Sequence, residues 1–274
     1  MPLKLTYTGR TNIPVEIEGL TPSAVSSLPL GEIERFEIFH GNEKCSLADF
    51  FTVAGDASDA RFEMEGDLSG VHWIGAGMTE GEIHISGSAG RHVGSEMQGG
   101  QIHVSGDAGD WVGAEMYGGL IHVRGRAGHL IGAAYRGSSR GMRNGTILIG
   151  GDVGNEIGHT MRRGMIAVGG SCGDMTGFNM ISGNVLVFGA TGIRPGAGMR
   201  RGTIGFFGDD PPPLLPSFRR GSTFDPLFLQ MTFRQLRGLG FGIRDGLDSC
   251  RFELYHGDFI EGGRGEIIVA SRPN

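Results

Sequence analysis

Histidines and arginines are the residues here whose types and spacing could carry chemistry. His84, His103 and His122 recur every 19 residues. If that spacing stacks them, three imidazoles lie about 4.8 Å apart on one face, and imidazoles so placed can share a transition metal. The same position later holds Leu148, Ala167 and Leu186, and no carboxylate or cysteine accompanies the histidines in the repeat. The expectation is therefore an ordinary surface ladder, with no metal. Arg143, Arg162, Arg163, Arg200 and Arg201 recur one and two residues after a methionine, with Arg136 and Arg140 just upstream. These seven are the candidate binding residues. Like charges on adjacent strands repel, so their accumulation calls for an acidic ligand or an acidic partner surface, since guanidinium groups pair with carboxylates through paired hydrogen bonds. A merely solvated face would instead draw on local acids such as Asp152 and Glu156. No GxSxG, HExxH or P-loop is present, and no catalytic residue is expected.

The elements that would position these side chains follow from a repeat. Met78, Met97 and Met116 are spaced by 19, and so are Met142, Met161, Met180 and Met199, with a spacing of 26 from Met116 to Met142. Glycine stands three residues after every one of these methionines (Gly81, Gly100, Gly119, Gly145, Gly164, Gly183, Gly202) and again nine after, from Gly87 to Gly208. Between the two glycines, the fifth and seventh positions are apolar, as in Ile83 and Ile85 or Ile102 and Val104, while the residue between them varies. Alternation with period two describes a strand with one buried face. One such strand cannot bury its face alone, so stacked copies must form the core. The expected fold is all-β: a right-handed parallel β-helix, a single-stranded solenoid of 19-residue coils, with small α+β end caps. Residues 56–77 read as an irregular extra coil. A valine at Gly106 should destabilise strongly, because the turn there is expected to need an unusual φ. Outward positions such as His103 should tolerate polar changes within about 0.5 kcal/mol.

The domain reading is an N-terminal cap over 1–55, the repeat over 56–208, and a linker and cap over 209–274. Strands are expected at Lys4–Tyr7, Arg35–Phe39, Phe252–Tyr255 and Glu266–Ala270, and a short helix at Ser46–Phe51. A further helix is expected over Asp225–Arg237, with Asp225 as N-cap. The seven-residue insertion Tyr135–Gly141 reads as a bulge of interface-type residues. Glycine, at 52 of 274 residues, is far above a typical share of about 7%, as the many turns require. The net charge of −6 argues against general nucleic-acid binding. It is unevenly spread: residues 1–77 hold 5 basic and 12 acidic side chains, whereas 135–208 hold 8 and 3. No run of 18 apolar residues exists, so no membrane span is expected. Cys45, Cys172 and Cys250 suggest neither a disulfide framework nor a zinc site, and a cytoplasmic location is expected. Cys172 replaces an alanine of the repeat and reads as a buried structural thiol.

The pattern Met-x-x-Gly-x-Ile-x-Val-x-Gly-x-Ala-Gly-x-x-Val-Gly, as in Met97–Gly113, resembles the GxGxG β-helix family. That family includes the C-terminal domain of the large glutamate synthase subunit and the C subunit of formylmethanofuran dehydrogenase. Phe39-His40-Gly41-Asn42, Leu47–Phe51 and Gly262–Ala270 are similar to the ends of the dehydrogenase C subunit. The resemblance implies a non-catalytic scaffold subunit in one-carbon metabolism. Its complex would be either the molybdenum or tungsten dehydrogenase linking CO2 to formylmethanofuran, or the related bacterial formyltransferase/hydrolase that releases formate. The balance of 22 Arg to 2 Lys leans towards the bacterial form. The implied partners are amidohydrolase-like, formyltransferase-like and molybdopterin-enzyme-like subunits, which would carry the metals and clusters. No cofactor is assigned to this chain; a methanofuran-type carrier would be handled by the complex, and its glutamate-rich tail suits an arginine edge. Two alternatives are a glutamate-synthase-type spacer in nitrogen metabolism and a stand-alone enzyme acting through the histidine face.

Overall fold

Each repeat forms one four-residue strand: Glu82–Ile85, Gln101–Val104, Leu120–Val123, Thr146–Ile149, Met165–Val168, Asn184–Val187 and Thr203–Phe206. The computed structural model describes residues 2–271. Every strand pairs in parallel with the next and without slippage: Ile83 stands beside Ile102, Ile102 beside Ile121, and Ile121 beside Ile147 across the insertion. The seven extra residues are thus extruded without disturbing the register. A slip of one residue would expose the whole apolar set, and this holds the register firm.

The stack continues into both flanks. Arg61–Glu65 and then Leu3–Tyr7 extend it at one end, and Gly265–Ala270 extends it at the other, all in parallel. Antiparallel strands finish each edge: Phe51–Ala54 at one, Phe252–Gly257 and Arg219–Phe224 at the other. The result is an open sheet of 13 strands, mostly parallel, with a second sheet of 4 formed by Val15–Glu16, Glu37–His40, Glu43–Ser46 and Val71–His72. The chain is therefore mostly β, on a large sheet with a parallel middle. Ser46–Phe51 is split into a short 3₁₀ turn, Leu47–Asp49, and the start of a strand.

Methionine and glycine recur together for a packing reason. All seven repeat methionines are fully buried. The methyl of each of the first six lies where the glycine of the next repeat would place a Cβ, as Met116 Cε does at 2.8 Å from that position at Gly145, and Met199 Cε stands likewise at Gly265. Burying a methionine is worth about 1.5–3 kcal/mol, and only glycine leaves room for it. The expected reason for needing glycine at Gly106 is corrected by the structure. Its φ is not in the left-handed region; an added Cβ would instead lie 2.8 Å from the backbone of Gly87 and Ser88 in the preceding repeat. The left-handed residues include a column of non-glycines: Trp73, His92, Trp111 and Leu130 have φ between 63° and 66°. The sequence carries no signal for that.

The outward column changes character along the stack. His84 and His103 are part-exposed, whereas His122, Leu148, Ala167, Leu186 and Gly205 are buried. The cover is the C-terminal region: Leu229, Phe233 and Leu236 of the helix Leu227–Gly238 join Phe207, Phe241 and Phe252 over Leu148, Ala167, Leu186 and Ile268. The spacing i, i+4, i+7 puts those helical residues on one face. The expected N-cap at Asp225 is displaced by one residue: Pro226 occupies that position without a side-chain cap, and Asp225 instead accepts from Gln230 at 3.4 Å. Among the described residues no helix is long and apolar enough to cross a membrane.

Candidate functional site

The backbone N–H of the residue after each methionine donates to the preceding methionine's carbonyl, as in Arg162 to Met142 and Arg200 to Met180, both at 2.8 Å. That ladder holds successive arginines above one another. Arg140, Arg143, Arg162, Arg163, Arg200 and Arg201 line one groove of about 640 Å³, together with Ile181 and Ser182. Arg136 is outside it. Arg264 joins it from the turn before Gly265–Ala270. Nothing in the repeat foretells Arg264, because its position depends on a strand pairing across 60 residues.

The groove is poorly neutralised. Arg200 Nε pairs with Glu261 at 3.0 Å; among the described residues no other arginine of the groove forms an ion pair. Arg143 lies over the Tyr117 ring at 4.2 Å, and Arg162 Nη2 donates to the Ser139 carbonyl at 3.3 Å. The Nε atoms of Arg143 and Arg162 are buried without hydrogen-bond partners. The acids that a solvated face would use are engaged elsewhere. Asp152 Oδ1 accepts from the Ser171 N–H at 2.7 Å, and Glu156 lies 3.0 Å from His159 Nδ1. Such a surface can hold a carboxylate-rich ligand through several charge-assisted contacts.

The insertion does two things. Arg140 reaches the groove, whereas Tyr135 folds back over Trp73, His92 and Trp111, with ring centroids 6.2, 5.7 and 4.9 Å away. Its hydroxyl lies 2.8 Å from Ser95 Oγ and 2.9 Å from His92 Nδ1. Burial pushes the Tyr135 hydroxyl up to about 12. Burial, with the His72 and Arg91 charges, pushes His92 down to about 4. Tyr135→Phe should cost about 1 kcal/mol by removing these hydrogen bonds, measurable by denaturant unfolding.

His84 and His103 stack as the spacing requires, 4.9 Å between centroids, whereas the His122 ring lies 6.2 Å from His103 and is tilted by 53°. Burial, followed by the Arg124 and His103 charges, pushes His122 down to about 4. The expectation that no carboxylate accompanies them is overturned: Glu82 Oε1 lies 2.6 Å from His84 Nε2. The signal for this lies in the period-two alternation, which puts residues 82 and 84 on the same face. Cys172 is buried; burial raises its thiol despite hydroxyls of Thr176 and Thr191 at 3.1 and 3.2 Å.

In-register parallel strands, one per repeat, with an arginine-lined groove on one edge, define a β repeat protein. The chain belongs to the GXGXG motif family, whose model matches residues 66–212. It is similar to the C subunit of the tungsten-containing formylmethanofuran dehydrogenase 2 of Methanothermobacter thermautotrophicus, at 38% identity over 93 residues, 32% of this chain and 34% of that protein. It is also similar to the C subunit of the molybdenum-containing formylmethanofuran dehydrogenase 1 of Methanothermobacter marburgensis, at 42% over 79 residues, 28% of this chain and 20% of that one. These matches span about a third or less of the curated relatives. A chain in the crystal structure of the formyltransferase/hydrolase complex FhcABCD from Methylorubrum extorquens, in complex with methylofuran, matches with a TM-score of 0.89 and 32% identity. That match covers 98% of this chain and 100% of the other.

Proposed function

We propose that this chain is a scaffold subunit of a formyltransferase/hydrolase-type complex in one-carbon metabolism, folded as a right-handed parallel β-helix with capping flanks over 1–55 and 209–274. The observation that carries this reading is the end-to-end correspondence with a chain of the Methylorubrum complex. The C subunits of the dehydrogenases are similar in sequence over a shorter stretch. The partners would be amidohydrolase-like and formyltransferase-like subunits in a cytoplasmic hetero-oligomer. In that setting the arginine groove receives an acidic element, either the carboxylate-rich tail of the carrier or an acidic face of a partner subunit. The unneutralised guanidinium groups support this role.

The double substitution Arg162→Glu/Arg163→Glu tests it. Both side chains lie on the groove, and their removal leaves the apolar core intact. The melting temperature should change little, while affinity for a polyglutamate peptide, or for the partner subunits, should fall about ten-fold or more at low ionic strength. The difference should shrink above physiological salt, where the screening length drops below about 8 Å. Unaltered peptide binding and unaltered assembly would show that the edge is only solvated surface. Separately, affinity purification of the native protein should return the two catalytic-type subunits; recovery of the chain alone would remove the scaffold reading.

A further inference from the structure

A second constellation stands apart from the arginine groove, on the outward face of the first repeats. Glu82 and His84 flank the buried Ile83 on one strand, and His103 stands beside His84 on the next. Arg61 is drawn to Glu63 at 2.9 Å and lies 3.8 Å from Glu82 Oε2. This turns the other oxygen, Oε1, towards the imidazoles. Oε1 is 2.6 Å from His84 Nε2 and 3.9 Å from His103 Nε2. The contact is a short carboxylate–imidazole pair, and His84 Nε2 is shielded from solvent. A carboxylate oxygen and an imidazole nitrogen in contact, with a second imidazole beside them, are the donors that one cation would gather. The three donor atoms all lie within 4.8 Å of one another.

We infer that Glu82, His84 and His103 form a three-ligand site for a divalent first-row transition metal of the zinc class. Two imidazoles and one carboxylate match that class, whereas calcium and magnesium prefer oxygen alone. Bonds of about 2.0–2.2 Å place neighbouring donors roughly 3 Å apart, so only small side-chain rotations separate the observed positions from a closed site. His103 would release its 3.3 Å contact with Gln101. His122, buried beyond His103, is not a member. Side-chain exposures of 30–36% give the ion access and leave a coordination position to solvent. Because the ligands come from adjacent repeats, the metal would also clasp those two strands.

Calorimetric titration of the full chain with zinc chloride tests this, alongside titration with cobalt chloride followed by visible absorption. One ion per chain should bind, with a tetrahedral or five-coordinate cobalt spectrum and a melting temperature raised by several degrees. His84→Ala and His103→Ala should each weaken binding by about ten-fold or more. Glu82→Gln, which keeps the shape of the side chain, should weaken it too and serves if a histidine variant fails to fold. His159→Ala removes a histidine beside a lone glutamate and should leave binding unchanged. No saturable binding, binding indifferent to all three ligand substitutions, or an equal loss on His159→Ala would overturn the site.

Discussion

Replacing Gly119 with valine is expected to destabilise the protein by about 3–5 kcal/mol. Its φ is +94°, a conformation that costs a side-chain-bearing residue roughly 1–2 kcal/mol and a β-branched one more. A Cβ there would also sit 2.7 Å from Met97 Cε and 2.8 Å from the Gly100 carbonyl oxygen. Met97 is fully buried, so its methyl has nowhere to retreat, and overpacking of this kind costs about 1–3 kcal/mol. The melting temperature should fall by roughly 10 °C. Gly137, in the insertion, provides the comparison: its φ is +90°, but nothing lies within 4 Å of an added Cβ. Gly137→Val should therefore suffer the backbone strain alone. If the two variants lose equal stability, the Met–Gly packing column is not what holds consecutive repeats together.

The second large effect is acid lability traceable to His122. Its folded pKa is about 4, below the ordinary value of about 6.5. A depressed folded pKa means that the unfolded chain takes up the proton first. The stability associated with the neutral ring is complete above pH 6.5 and is lost as pH falls towards 4. The loss attributable to this ring is on the order of 2–3 kcal/mol. The next strand offers the replacement, because Leu148 stands beside His122 in the same column. His122→Leu should match the wild type at pH 7.5 to within about 1 kcal/mol and exceed it clearly near pH 4.5. Thermal melts across that range decide the matter; parallel pH profiles for the two proteins would remove His122 as the cause. His92, also held near 4, would supply the acid sensitivity that persists in the variant.

The same residue corrects an expectation about tolerance. Free acceptance of polar changes at outward positions remains the expectation for the metal-free chain at the part-exposed His103. It does not apply from His122 onward, where the helix Leu227–Gly238 and its neighbours close over the column. The shift from His to Leu, Ala, Leu is visible in the sequence. Its meaning is not, because the covering elements lie in the non-repeating flank.

What the sequence determined by itself is everything that a constant 19-residue period propagates. Once one alternating strand pairs with its copy, every column stacks, so the buried Ile and Val ladders, the methionines and the glycines bracketing each strand follow from spacing. For the same reason, the five arginines that follow Met142, Met161 and Met199 could be placed on one edge, and they meet in one groove. Tertiary structure alone decided what does not repeat. It brought Arg264 into the groove, left Arg136 out, and folded Tyr135 onto Trp111. It also assigned the glycine at 106 to a close approach of neighbouring backbone instead of a turn conformation. A repeat specifies its own neighbours through short-range register; a flank or an insertion settles only where long-range burial and pairing are satisfied, and no local period records that outcome.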